Sequence, residues 1–356
     1  MHRVLHVARI AAAAVLALSA SAAAAPALQL LPQKSGTLHD LIGISAVSDQ
    51  VAWASGRGGT FALTTDGGAH WRSAVVPGAE ALQFRDVEAF SEQVAWLLAI
   101  GNGPDSRIYK TTDGGATWAQ QFVGRDPKAF YNCLAFWSEG RGLAFSDSSG
   151  GRFPALRTAD GKAWSEIGGR LPEPRPGEGG FASSGTCASA LGDKHAWIAT
   201  GASPPAGRVF ATTDGGDHWT AHETPLRGGP MAGAFSVAFR DPLHGLVAGG
   251  ELNGPADLDN VARSSAGGKT WTLTARAPIG TVFGIAWAQG KKGKAAHPAV
   301  VATGPGGAAI SLDDGAAWTV LPGAAHYWSV AFADEHTGWL VGTGGRILKI
   351  ELPARD

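Results

Sequence analysis

A short turn motif returns six times along this chain, and it constrains the fold more than anything else in the sequence. It reads Thr64-Thr-Asp66-Gly-Gly-Ala-His-Trp71, then Thr111-Thr-Asp113-Gly-Gly-Ala-Thr-Trp118. A shortened copy, Thr158-Ala-Asp160-Gly-Lys-Ala-Trp164, follows. The last three are Thr212-Thr-Asp214-Gly-Gly-Asp-His-Trp219, Ser264-Ser-Ala266-Gly-Gly-Lys-Thr-Trp271 and Ser311-Leu-Asp313-Asp-Gly-Ala-Ala-Trp318. Successive tryptophans stand 46 to 55 residues apart. A repeat of that period implies a propeller or a solenoid.

Each residue type in the motif has a local task. The first Ser or Thr and the Asp can hydrogen-bond backbone N–H groups of their own turn. The glycines permit positive φ in a tight hairpin. The Trp, opening the outgoing strand, has the area to fill the space between neighbouring sheets. A second recurring segment precedes each turn. It appears at Ile44–Asp49, Val87–Glu92, Leu134–Glu139, Ala188–Asp193, Val237–Asp241, Ile285–Gln289 and Val330–Asp334, seven times in all. A further apolar strand follows, as in Val51-Ala-Trp-Ala and Gly338-Trp-Leu-Val. Short strands at regular spacing make an all-β repeat. Seven segments but six turns imply a last blade, ending at Arg346–Ile350, that lacks its outer strand. We expect Ala27–Leu31 to supply it and close the ring, which would protect the edges of an open array. The competing count is six blades with a stray hairpin.

The first residues stand apart from the repeat. Arg3 and Arg9, an apolar run from Ile10 to Leu18, and small residues from Ser19 to Ala25 have the form of a secretory signal peptide. The domain reading is therefore a leader over 1–25 and one propeller domain over 26–356. The alternative for the leader is a retained N-terminal anchor. No later apolar run is long enough to span a bilayer, so no transmembrane segment is expected in the mature chain. Without Arg3 and Arg9, the 29 Lys and Arg fall to 27 against 30 Asp and Glu, a net charge of −3. That argues against nucleic acid or an anionic membrane surface as the main partner.

The motif resembles the Asp-box, or BNR, pattern of sialidases, sortilin-like receptors and the photosystem II stability/assembly factor-like family. In those folds it caps the turn between the third and fourth strands of a blade, far from the central channel. The resemblance implies structural roles for Asp66, Asp113, Asp160, Asp214 and Asp313, and Ala266 shows that one turn dispenses with the carboxylate. Over residues 27–350 the pattern is similar to the assembly factor-like family, whose members are seven-bladed. Segments such as 145–154 and 177–187 look like bacterial envelope relatives. The expected architecture is a seven-bladed β-propeller of four-stranded blades with Asp-box turns, closed by the N-terminal strand.

In such a ring the inner strands start at one face, and loops there line the mouth of the channel. The long insertions fall there: 100–106, 146–154, 201–207 and 249–260 between second and third strands, and 123–130 and 168–185 before inner strands. Loops on a rigid scaffold are where binding concentrates. The candidate mouth residues are Arg85, Asp86, Lys128, Tyr131, Asn132, Asp147, Arg152, Glu178 and Tyr327, with Asp257, Asp259 and Asn260 beside them. Arg85, Tyr131, Asn132 and Arg152 rank first, and plain solvated loop is the competing reading for each.

Enzymatic motifs are missing. A sialidase site needs three arginines clamping a carboxylate bidentately, a Tyr nucleophile with a Glu partner and a separate acid. The family's Phe/Tyr-Arg-Ile-Pro motif precedes the first box, whereas the nearest match here, Arg152-Phe-Pro154, precedes the third. Gly267-Gly-Lys-Thr270 lacks the upstream glycine of a phosphate loop, that position holding Arg263. There is no Gly-x-Ser-x-Gly elbow, Cys-x-x-Cys or His-Glu-x-x-His. No cofactor or metal site is expected, and the spacing of Asp257 and Asp259 is a weak calcium pattern.

Cys133 and Cys187 each precede the apolar start of an inner strand and occupy the same column of adjacent blades. An exported protein favours a disulfide. Against this, identical columns in a head-to-tail ring point the same way round, so two small buried thiols are the leading expectation and a disulfide the alternative.

These features point to an exported, non-catalytic propeller that serves as a protein-binding or assembly scaffold, periplasmic before fully secreted. Its expected partner is a protein or peptide in the cell envelope. The alternative is a glycan-active or glycan-binding propeller, sialidase- or glycoside hydrolase-like. A third reading is a purely structural module of a larger complex.

Overall fold

The computed structural model describes residues 27–289 and 298–354, so the leader expected over 1–25 lies outside the described residues. The chain forms seven four-stranded antiparallel sheets arranged as the blades of a propeller. Strand β1 (Gln29–Lys34) comes first but belongs to the last blade. Blade 1 holds β2 (Leu41–Ala46), β3 (Ala52–Gly56), β4 (Thr60–Thr64) and β5 (Arg72–Val75). Blade 2 holds β6 (Gln83–Ala89), β7 (Ala95–Ile100), β8 (Arg107–Thr111) and β9 (Ala119–Val123). Blade 3 holds β10 (Tyr131–Ser138), β11 (Arg141–Ser146), β12 (Leu156–Thr158) and β13 (Ser165–Glu166). Blade 4 holds β14 (Ala188–Leu191), β15 (His195–Thr200), β16 (Ala206–Thr212) and β17 (Thr220–Arg227). Blade 5 holds β18 (Ala232–Phe239), β19 (Gly245–Glu251), β20 (Val261–Ser264) and β21 (Thr272–Leu273). Blade 6 holds β22 (Gly284–Trp287), β23 (Val300–Gly304), β24 (Gly307–Ser311) and β25 (Thr319–Val320). Blade 7 holds β26 (Tyr327–Phe332), β27 (Thr337–Gly342), β28 (Arg346–Glu351) and β1.

The ring closes as the sequence implies, with a small shift of boundaries. β1 begins two residues later than the expected segment and pairs β28 antiparallel, Gln29 opposite Glu351 through Lys34 opposite Arg346. Gln33 fixes this seam. Its Oε1 accepts a bond from Trp71 Nε1 of blade 1 at 2.8 Å and from Trp339 Nε1 of blade 7 at 3.2 Å. The outer strand of blade 7 thus ties that blade to blade 1.

The turns between third and fourth strands share one geometry in blades 1, 2, 4 and 6. In the first, Thr64 Oγ1 donates to Asp66 Oδ1 at 2.9 Å and accepts from Gly68 N at 2.8 Å, while His70 N donates to Asp66 Oδ1 at 2.9 Å. The second repeats it, with Gly115 N on Thr111 Oγ1 and Thr117 N on Asp113 Oδ1, both at 2.9 Å. At Ser264 the hydroxyl still accepts from Gly268 N at 2.9 Å without a carboxylate beside it. These donors hold the carboxyls of Asp66 and Asp113 down to about 2, the first chiefly through the His70 amide and the second through the Thr117 hydroxyl. The groups are spent on their own turns.

The core lies between blades. Trp53, Trp96, Trp197 and Trp339, all on second strands, are fully buried there. The ring stack of Trp197 on Phe239, 3.6 Å between centroids, joins blades 4 and 5.

Candidate functional site

The channel is closed near the face where the inner strands start. The loop after β13 is long, and its last part, residues 181–187, leaves blade 4 and crosses the axis. Its contacts define that path. Ser183 and Ser184 Oγ donate to the Phe283 carbonyl of blade 6, at 3.3 and 2.6 Å. In blade 5, Thr186 Oγ1 meets Ser236 Oγ at 2.6 Å and the Thr186 carbonyl accepts from Val237 N at 3.1 Å. On blade 2, Arg85 Nη1 donates to the Ala182 carbonyl at 3.0 Å. Phe181 stacks on Phe235, centroids 3.8 Å apart. Gly185, at φ +76°, passes so near blade 2 that a Cβ would lie 2.6 Å from Asp86 Oδ1. A segment that reaches blades 2, 5 and 6 from blade 4 is a plug.

Cys133 and Cys187 form a disulfide, Cα atoms 5.9 Å apart, which staples the plug to blade 3. This corrects the expectation of two buried thiols. The column argument assumed that both residues sit in strand pleat. Cys133 does, within β10, but Cys187 lies in the turn at the end of the plug, before β14 begins at Ala188. Its side chain is therefore free of the pleat and turns toward blade 3.

Four of the candidate mouth residues hold this arrangement. Asp86 is buried and accepts from Leu134 N of blade 3 at 2.5 Å. Asn132 is buried and donates to Asp147 Oδ1 at 2.8 Å, and Asp147 also accepts from Gly180 N at 3.0 Å. Burial pushes the Asp147 carboxyl up to about 6, against the pull of those two donors. Glu178 is buried beneath the root of the plug. It takes two bonds from the Arg208 guanidinium, one at 2.8 Å from Nε, and one from Thr200 Oγ1 at 2.6 Å. Such bidentate pairing satisfies the buried carboxylate. Tyr327, at the start of β26, is also buried and packs in the core of blades 6 and 7.

Arg85 alone of the first-ranked residues faces the mouth beside the channel axis. Its guanidinium lies 5.5 Å from the Trp328 ring centre and donates to Gln83 Oε1 at 3.2 Å. Burial lowers its pKa to about 10, helped by the charge of Arg57 and opposed by Asp40, so it stays cationic at neutral pH. Arg57 Nε sits 3.3 Å from Asp40 Oδ2. Arg57 is thus paired with Asp40, while Arg85 lies beside an aromatic ring. Sequence reasoning missed Arg57, Asp40 and Trp328. Arg57 lies in the turn after β3, on the same face as the long insertions, and its short loop hid it.

Tyr131 and Arg152 stand elsewhere. They line a groove of about 590 Å³ between the outer parts of blades 2 and 3. Arg152 Nη2 is 3.5 Å from Glu166 Oε2 across it. Lys128 is exposed on the neighbouring loop, where its N–H donates to Asp126 Oδ1 at 2.9 Å. Asp257 and Asp259 lie in an exposed loop of blade 5, whereas Asn260 is buried and bonds the carbonyls of Ala277 and Gly280. On the other side of the plug, a cavity of about 270 Å³ is walled by the inner strands of all seven blades, with Thr186 also in its lining.

No protein-family model matches the chain, and no curated protein sequence matches it. Solved structures do. One titled "YCF48 bound to D1 peptide" is 15% identical, covers 92% of this chain and 99% of its own, and has a TM-score of 0.63. YCF48 from Cyanidioschyzon merolae is 16% identical over 92% and 99%, with a TM-score of 0.60. The WD40 β-propeller domain of Doa1 is 15% identical over 90% and 96%, with a TM-score of 0.59. At these identities the likeness shows the seven-bladed fold.

Proposed function

We propose that this chain is an exported, non-catalytic propeller that holds a protein segment on its plugged, loop-rich face. The observation that carries the reading is the cluster of Arg57, Arg85 and Trp328 beside the plug. Two guanidinium groups outnumber the Asp40 carboxylate beside them, and the half-buried Trp328 ring adjoins Arg85. Arg and Trp are the side chains that most often dominate protein interfaces. The segment that fits is acidic, or ends in a free carboxylate. The similarly folded YCF48 bound to a D1 peptide supports a peptide partner for this propeller.

Catalysis finds little support among the described residues of the mouth. Asp86, Asn132, Asp147 and Glu178 are engaged in holding the plug, so none is presented as an acid–base pair to a substrate. Export is supported by the pattern of the first residues and by the Cys133–Cys187 bond, since disulfides persist in oxidising compartments. The periplasm is the compartment we propose, and the assembly role follows the resemblance to the assembly factor-like family.

The test is an affinity capture from the cell envelope with tagged protein, beside an Arg57→Ala/Arg85→Ala variant of matched circular dichroism. We expect a protein retained by the native chain to be lost from the variant, and its capture to weaken as salt is raised. Equal retention by both forms would remove the mouth cluster from the interface.

A further inference from the structure

We propose that the groove between blades 2 and 3 is a second binding site, built for a neutral oligosaccharide. It is separate from the mouth cluster and does not depend on the reading of that cluster.

Blade 3 is short at its outer side where the groove lies. Its repeated turn lacks one residue, β12 spans three residues and β13 two, while the facing β9 of blade 2 spans five. A gap of about 590 Å³ lies between blades 2 and 3 here, within the range of roughly 300–1,000 Å³ for small-molecule clefts.

Tyr131 marks it as a site. The residue is 2% exposed and its ring packs edge-on to Phe122, centroids 5.1 Å apart. The residue lines the groove, and no hydrogen bond to its hydroxyl is found among the described residues. A hydroxyl that reaches the solvent of a cleft from an otherwise buried side chain, without a protein partner, is open to a ligand group or water. Burial raises its pKa, and Glu166 and Asp126 reinforce this against Arg152, so the phenol remains a donor.

The chemistry around it selects the ligand. Arg125 and Arg152 are balanced by Asp126 and Glu166, so the walls carry no net charge to attract an ion. They alternate donors and acceptors, and Phe122 and Trp164 add apolar faces. A sugar matches this combination, with hydroxyls that both donate and accept around its edge and C–H groups on its faces. A charged peptide gains nothing from walls of zero net charge.

The test is calorimetric titration of the exported protein with maltotriose, cellotriose, xylotriose and chitotriose, repeated with Tyr131→Phe and with Arg152→Ala/Glu166→Ala. We expect at least one to bind, about tenfold more weakly to Tyr131→Phe, the loss associated with a single hydrogen bond. Arg57→Ala/Arg85→Ala should bind the sugar as the native chain does, which separates this site from the mouth. The proposal is overturned if none of the four binds at millimolar concentration, if Tyr131→Phe binds as well as the native chain, or if only peptides compete for the groove.

Discussion

The two faces of this propeller are built in opposite ways. On the face carrying the repeated turns, the same few atoms settle each turn locally, as Thr64, Asp66 and Gly68 do within five residues. On the other face the plug has no counterpart in the other blades among the described residues. The plug of residues 181–187 is held by partners from blades 2, 3, 5 and 6, up to 100 positions away in sequence. The difference separates what the fold requires from what this particular chain has added. Local turns make any blade, whereas the plug belongs to one ring only.

The largest effect should come from cutting the staple. Replacing Cys133 and Cys187 by alanine removes a link across 54 residues, worth roughly 4 kcal/mol in the chain-entropy account. Urea unfolding should show that loss. Hydrogen exchange should accelerate at Val237 N–H, bonded to the plug, and remain slow at Gly68 and Gly115 N–H in the turns. Equal acceleration on both faces would mean that the plug is no separate unit.

A smaller effect concerns Asp147, which fastens the root of the plug. Its carboxyl is raised by burial from 3.8 to about 6, so the folded state holds a proton that the unfolded state has released. Its contribution is complete below about pH 4 and is lost as pH rises through 6, up to about 3 kcal/mol. Asp147→Asn keeps an oxygen for Gly180 N without this titration. The variant should gain stability relative to the native chain as pH goes from 4 to 7. A difference that stays constant over that range would show that Asp147 does not titrate as described.

The smallest effect tests the repeating face. Ala266→Asp should restore a carboxylate acceptor for the Thr270 amide, as Asp66 serves His70, and raise Tm by about 1–2 °C. The gain should vanish in acid as the new carboxyl protonates, the range in which Asp66 loses its own, falling from about pH 4 through 2. An unchanged or lower Tm would show that the turns are less interchangeable than their geometry suggests.

This contrast also explains what could be read from the sequence. Blade number and the closing strand were legible, because Trp spacing, apolar segments and the lone segment before Leu41 each report on short-range order. The loop face was legible only as a location. Which loop residues meet depends on a path through the ring centre, and no spacing encodes that. Thus Arg85 was singled out without Arg57, and Glu178 without Arg208. Tyr131 was expected near the channel, yet it faces outward between blades, because an inner strand presents alternate side chains to different neighbours. The cysteine pair failed as an inference for a related reason: the pleat rule was applied to Cys187, which is in no strand.

The seam at β1 and β28 has a consequence for how the molecule is made. The first strand synthesised can find its partner only after more than 300 further residues exist. Until then blade 7 has no outer strand, Gln33 has no Trp339 beside it, and the growing blades form a stack with two raw ends. During synthesis the ring therefore cannot close before β28 exists, and a chain halted anywhere before β28 remains an open arc.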